Sequence, residues 1–337
     1  MTESVVEEDF QTLTEQYRRE LLAYCYRMLG SVHDAEDLVQ ETYLRAWKAY
    51  ERFEGRSSLR TWLYRIATNA CLSALEGRGR RPLPTGLGAP SADPEAELVE
   101  RPEVPWLEPV PDAAVGANQG DPATIVTSRA SIRLALITAL QFLPSRQRVV
   151  LIMRDVLGWR AAEVAELLGS TTVAVNSMLQ RARAQISELA PTEDEVTEPA
   201  TAEQRDLLER YVTAFERYDT AALVKLFSSD AVWEMPPFTG WYQTPEAIGR
   251  LVAHQCPAKQ AGDLRMVPAE ANGQAAFGMY LRDENGGHQP FQLHVLHFAS
   301  AGGASAGGGA AIDHVTVFFD LTLFPKFGLP DSLPAGS

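Results

Sequence analysis

The 337-residue chain has three cysteines, Cys25, Cys71 and Cys256, spread far apart and forming no CxxC pair. That spacing excludes a disulfide framework and a cysteine-based zinc site, and the three are read as buried thiols. No stretch approaches the roughly 18 uninterrupted apolar residues that a membrane helix needs. The opening MTESVVEEDF is acidic where a secretory signal would be basic, so a cytoplasmic location without membrane contact is expected. Proline does not occur before Pro82, which leaves the first quarter of the chain free to be helical. What is present is ordinary for a soluble globular protein, with 45% hydrophobic, 9% aromatic and 22% charged residues. The length implies two or three domains.

A net charge of −14 argues against a nucleic-acid partner until it is resolved by segment. Residues 1–81 hold 12 basic and 13 acidic side chains, 82–127 hold 1 and 8, 128–190 hold 8 and 4, and 191–337 hold 9 and 19. Between Gly55 and Arg81, six arginines face only Glu76. Two basic surfaces therefore sit in an acidic protein, separated by an acidic linker.

Apolar residues recur at helical spacing from Phe10 to about Glu76, which predicts an all-α domain over 1–81. Residues 82–127 carry nine prolines among glycines and acids, a linker composition with no core of its own. Helical periodicity resumes at Ser128, pauses at Pro144, Gly158 and Gly169, and ends before the acidic run Glu193, Asp194, Glu195, which gives a four-helix unit over 128–190. Over 200–327, two amphipathic helices precede alternating runs at 231–235, 264–269, 275–282, 291–298 and 312–319, with a helix at 244–254 and a Gly/Ala/Ser hairpin connection at 299–311. Helices on one curved antiparallel sheet, an α+β domain, are expected there.

Within 160–187, Arg160 to Leu168 predicts a short helix, Gly169 the turn, and Thr171 the cap of a second helix. On that helix Val175, Leu179, Ala182 and Ile186 form one apolar stripe, while Thr172, Asn176, Gln180, Arg181 and Arg183 form the opposite polar, cationic face. This is the pattern of a helix-turn-helix laid in a major groove, although an ordinary helical hairpin with a solvated face has the same pattern.

The segment from Asp34 to Trp47, DAEDLVQETYLRAW, resembles the one with which sigma-70 family proteins grip the clamp helices of RNA polymerase. The resemblance implies polymerase contacts at Asp37, Leu38, Gln40, Glu41, Leu44 and Arg45, with Leu38 and Leu44 expected to anchor inward. The following segment, Phe53 to Asn69, resembles the family's promoter-melting and −10 reading segment, since arginines interleaved with aromatics hold phosphates while unstacked bases find a π-face. It implies −10 contacts at Arg56, Arg60, Trp62, Arg65 and Asn69, and phosphate contacts at Arg78, Arg80 and Arg81. Trp62 also has a core reading, because Leu59, Leu63 and Ile66 share its helical face. Ser145 to Leu151 resembles the helix that precedes the family's −35 reading helix-turn-helix. Two modules in this order resemble the extracytoplasmic-function group of sigma factors. Core RNA polymerase (β and β′ subunits) and promoter DNA are the partners this implies, an anti-sigma factor or a small ligand is a further candidate, and no catalytic residue, cofactor or metal is expected. Asn176 and Met178 stand where many relatives carry basic residues, so weaker or differently distributed −35 contacts are expected.

Tyr211 to Phe227, with Trp233-Glu-Met-Pro-Pro237 and Gly240-Trp-Tyr242, resembles SnoaL-like domains, cones of sheet closed by helices around an apolar pocket. Trp233, Met235, Phe238, Trp241, Tyr242 and His254 are the pocket candidates, and the same residues could form a plain core. In the linker, Pro105-Trp-Leu-Glu-Pro109 resembles a motif of sigma factors with this appended domain, and Trp106 is expected to dock on it and let the domain regulate the factor in cis. The competing reading is a SnoaL-like ligand-binding or enzymatic domain fused to a helix-turn-helix operator-binding regulator, which leaves the acidic helix at 34–47 unexplained.

Overall fold

The computed structural model describes residues 10–116, 129–189, 201–299 and 310–335. The linker portion at 117–127, the acidic run at 193–195 and residues 300–309 of the glycine-rich connection lie outside the described residues. The chain divides into two units, one formed by 1–81 with 107–193 and the other by 82–106 with 194–337.

In the first unit, α1 (Arg18–Leu29) is buried at every position from Leu21 to Leu29. It ends at Gly30, whose φ of 69° closes the helix by an N–H to Tyr26 carbonyl bond, a conformation that favours glycine. Ser31 then caps α2 (Val32–Ala49) by accepting from the Asp34 N–H, and Ser58 caps α3 (Leu59–Leu75) by accepting from Thr61. Tyr24, Leu63 and Tyr64 form the centre of this module, with the Tyr24 hydroxyl 2.8 Å from Thr68 Oγ1. Cys25 and Cys71 are fully buried there, whereas Cys256, in the other unit, is half-buried rather than buried.

The linker helix α4 (Asp112–Val115) packs on α1, and the second module of this unit comprises α5 (Leu134–Leu140), α6 (Ser145–Leu151), α7 (Ala161–Leu167) and α8 (Thr172–Leu189). It packs on the first through two buried arginines. Arg27 donates to the Ser131 carbonyl at 3.1 Å and hydroxyl at 2.6 Å, and Arg148 donates to the Met28 carbonyl and to Gln141 Oε1. Tyr64 meets Trp159 edge to face at 5.3 Å. Burial lowers both guanidinium pKa values to about 10, so both remain charged at neutral pH without a carboxylate partner.

In the second unit, helices α9 (Ala202–Glu216), α10 (Thr220–Leu223), α11 (Pro245–Gln255) and α12 (Leu323–Lys326) accompany a six-stranded sheet. Its strands are β1 (Phe227–Glu234), β2 (Trp241–Gln243), β3 (Leu264–Ala271), β4 (Gln274–Arg282), β5 (His288–Phe298) and β6 (Ile312–Phe318), in the order β2-β1-β6-β5-β4-β3. The sheet is mixed, not antiparallel as expected, because β1 and β6 run parallel with Trp233 opposite Val315. The intervening chain has to return across the sheet before β6 can pair with β1, which alternation within single strands does not encode. The apolar side chains of α9 and α11 fill the interior with Trp233, Leu296, Val315 and Val317.

Candidate nucleic-acid interface

On α2, Asp37, Gln40, Glu41 and Leu44 recur at three- and four-residue spacing and so share one helical face. Asp37, Gln40 and Arg45 are exposed, Glu41 is half-buried and pairs with Arg45 at 2.6 Å, and Leu44 is 60% exposed. Leu38 is buried as expected, but Leu44 is not. Six positions separate them, about 240° around the helix axis, so the two cannot face one core. The buried stripe is instead Ala35, Leu38, Val39, Thr42 and Ala46.

The arginine-rich segment lies on α3 and its flanks. Arg56 is exposed and pairs with Glu54, and Asn69 is exposed. Arg60 grips Glu20 through Nε and Nη2 at 2.8–3.0 Å and lies 5.1 Å above the Tyr64 ring. Trp62 is half-buried, its ring tilted on Phe53 at 4.7 Å. Arg65 pairs with Glu166 of α7 at 2.7 Å. Arg78 and Arg81 converge on Asp34 at 2.8 and 2.5 Å, and Arg80 lies 4.3 Å above the Phe142 ring.

Arg160 accepts the N-cap position of α7, with Glu163 reaching back to its N–H at 2.7 Å. Gly169 takes a φ of 58° between the helices, and Thr171 Oγ1 accepts from Ala174 at the start of α8. Val175, Leu179 and Ala182 are buried and Ile186 half-buried, while Thr172, Asn176, Gln180, Arg181 and Arg183 are all exposed along the other side. Arg183 makes a two-pronged pair with Asp155 at 2.6 and 2.8 Å. Sequence reasoning identified the arginines but missed the acidic partners of Arg60, Arg65, Arg78, Arg81 and Arg183, which lie 28 to 101 positions away. It also missed Arg27, although a lone charge inside the apolar run 21–29 was a visible sign of a buried, hydrogen-bonded cation.

In the other unit the linker runs against the sheet domain. The Thr85 N–H donates to the Glu234 carboxylate at 3.0 Å, Trp241 Nε1 to the Gly88 carbonyl at 2.9 Å, Gln255 Nε2 to the Ala96 carbonyl at 2.9 Å and the Arg101 N–H to the Pro237 carbonyl at 2.9 Å. Trp106 is buried, its indole N–H donating to the Arg101 carbonyl. Glu234 is wholly buried, with Oε1 2.7 Å from His314 Nε2 and accepting from Thr316 Oγ1 at 3.3 Å. Burial alone would raise its pKa, but the His314 charge and hydrogen bond outweigh that and hold it below the usual carboxylate value. Burial would lower the His314 pKa, and Glu234 reverses this so that it rises.

A cavity of about 280 Å³ opens in this domain. Trp233, Met235 and Phe238 line it, whereas Trp241, Tyr242 and His254 do not. Tyr242 belongs to the core, Trp241 is half-buried beside the linker, and His254 is exposed on α11.

The Sigma-70 region 2 family matches residues 13–81, Sigma-70 region 4 matches 133–186 and the SnoaL-like domain matches 208–318. Region 2 ahead of region 4 is the arrangement of a sigma-70 type transcription factor. The chain belongs to the ECF RNA polymerase sigma factor family, being 60% identical over 326 residues to the ECF RNA polymerase sigma factor SigG of Mycobacterium tuberculosis, a match spanning 96% of this chain and 85% of that protein. The RNA polymerase sigma-H factor of Pseudomonas aeruginosa is 29% identical over 174 residues, spanning 52% of this chain and 82% of that protein. The crystal structure of the extracytoplasmic function sigma factor SigJ of M. tuberculosis has the same fold, with a TM-score of 0.59 at 21% identity over 95% of this chain and 99% of that one. No helix among the described residues is long and apolar enough to cross a membrane.

Proposed function

We propose that this chain works in the cytoplasm as an initiation factor without catalytic activity of its own, joining core RNA polymerase and directing it to promoters. The observation that carries this reading is the identity to SigG across both DNA-binding regions and the appended domain. Polymerase is engaged by the α2 face of Asp37, Gln40, Glu41, Leu44 and Arg45 with Leu38 beneath it, the exposed Leu44 offering apolar area and the charges around it setting the register on a partner helix. The −10 element is held by Arg56, Arg60, Trp62, Arg65 and Asn69, flanking phosphates by Arg78, Arg80 and Arg81, and the −35 element by Thr172, Asn176, Gln180, Arg181 and Arg183. Phosphate contacts set position and affinity, and the side chains near the N-terminus of α8 read bases.

The appended domain regulates the factor in cis by holding the linker. The linker's bonds from Thr85 to Arg101 support this, because they restrain that stretch of the chain between the two DNA-binding regions. The test is run-off transcription with purified core polymerase. Specific start sites that require the chain are expected; failure of the chain to associate with core enzyme rejects the reading. Trp241→Ala, which removes the bond to Gly88, is expected to change output from the same promoter at equal protein concentration, and unchanged output rejects the regulatory part alone.

A further inference from the structure

The cavity of the SnoaL-like domain has a wall that does not belong to the domain. Leu98 of the linker lines it, and Gln255, another lining residue, donates to the Ala96 carbonyl on the same segment. That bond lies before Leu98, and after it the linker is tied down by a bond from the Thr239 N–H to the Val99 carbonyl at 3.0 Å and by the Arg101 to Pro237 bond. Residues 96–101 therefore form a strap over the cavity rather than a passing connection.

The lining defines what could fit. Its side chains are apolar or aromatic, apart from Gln255, Cys256 and Gln292, and none is an ionised group. A charged guest would lose its hydration without a counter-ion, so the cavity selects a neutral molecule. Gln292 is 7% exposed, and among the described residues its amide nitrogen donates only to the Met279 sulfur, at 3.1 Å. A thioether is a weak acceptor, so this buried amide is under-used and suits a single polar group on the guest. A cavity of about 280 Å³ lies near the small end of the range for small-molecule sites.

We infer that the cavity binds a small, neutral, mainly apolar molecule bearing one hydroxyl, amine or carbonyl group, and that this ligand locks the linker strap by packing against Leu98 and meeting Gln292. This rests on the reading that the linker is the regulated element, and it names what regulates it. The coupling follows from linkage. A ligand that touches Leu98 while the strap is docked loses that contact when the strap leaves, so it binds the docked state more tightly and shifts the chain towards it.

Cys256 supplies a reporter, because it lines the cavity and is half-buried, while Cys25 and Cys71 are fully buried. The full chain is titrated with N-phenyl-1-naphthylamine, a neutral apolar fluorophore with one N–H. Saturable emission is expected, with several-fold slower reaction of Cys256 with a disulfide reagent and several-fold slower amide exchange at Arg101 and Thr239. Leu98→Ala is expected to weaken dye binding about tenfold, the loss of one buried apolar contact. Cys256→Phe, which fills the cavity from the wall supplied by the sheet domain, is expected to abolish binding, with melting temperatures confirming that both variants fold. Unsaturable emission, or emission that Cys256→Phe leaves intact, overturns the site. Unchanged exchange at Arg101 and Thr239 on the wild-type chain at dye saturation overturns the coupling. Neither readout involves transcription, so the regulatory reading and this inference can fail separately.

Discussion

Arg65, on the helix proposed to hold the −10 element, is paired at 2.7 Å with Glu166, on the first helix of the helix-turn-helix, 101 positions away. The pair is not isolated, since Arg60 is held by Glu20, Arg78 and Arg81 by Asp34, and Arg183 by Asp155. In the free chain these arginines thus already have carboxylate partners, and a DNA phosphate has to displace them. A chain with net charge −14 is repelled by DNA as well.

Replacing Glu166 by glutamine is therefore expected to raise the affinity of the free chain for promoter DNA several-fold. Both side chains are substantially exposed, so the stability change should stay within about 1 kcal/mol. Fluorescence anisotropy at two salt concentrations checks this. The gain should shrink as salt screens the freed arginine, and an unchanged affinity would mean that the pairing does not mask the helix.

Arg148 behaves differently because it is buried. Its guanidinium serves the Met28 carbonyl, Gln141 Oε1 and the Leu143 carbonyl at once. Arg148→Ala leaves three acceptors without a donor in a dry contact, so a loss of at least about 2 kcal/mol is expected. Chemical denaturation monitored at Trp159 and Tyr64, which meet edge to face, would report it. A change below about 0.5 kcal/mol would show that water replaces the guanidinium without cost.

Much of this organisation was legible in the sequence, and what was not follows a physical pattern. The helix-turn-helix was readable because Val175, Leu179 and Ala182 repeat at the helical period and Gly169 marks the turn. Five of the strands announced themselves by alternation, whereas β2 has three residues and is too short to show a period. Trp241 and Tyr242 are adjacent on that strand and so point to opposite faces, which is why clustered aromatics did not translate into a shared pocket. The acid partners of the arginines, the strap at Leu98 and the parallel pairing of β1 with β6 depend on contacts distant in sequence, and no local pattern encodes those.

The pair of buried Glu234 and half-buried His314 gives the linker clamp a pH dependence of definite sign. His314 has a raised pKa, so its contribution is complete below the ordinary value of 6.5 and is lost as pH rises through the raised one. Glu234 has a lowered pKa, so its contribution is present above the ordinary value of 4.5 and is lost as pH falls through the lowered one. The pair is fully engaged between those ordinary values and weakens on the alkaline side as His314 loses its proton. Amide exchange at Thr85, which donates to the same carboxylate, should accelerate beyond its intrinsic pH dependence over that alkaline range. In His314→Gln this extra acceleration should vanish; if it persists, another group controls the clamp.

Leu44 offers a test that separates folding from assembly. At 60% exposure it contributes little to the core, so Leu44→Asp should change the thermal stability by no more than about 0.5 kcal/mol. If α2 docks on a polymerase helix through this face, the same substitution removes the apolar anchor and buries a charge at the centre of the contact. A loss of about 2–4 kcal/mol in association is then expected, a factor of roughly 30 to 1,000 in Kd. Arg45→Ala, at the edge of the same face and already paired with Glu41, should act mainly on the association rate and its salt dependence. Titration of labelled core polymerase with the three proteins measures all of this. Equal affinity of Leu44→Asp and the wild-type chain would move the polymerase contact off this face of α2, because no folding defect would be available to explain the result.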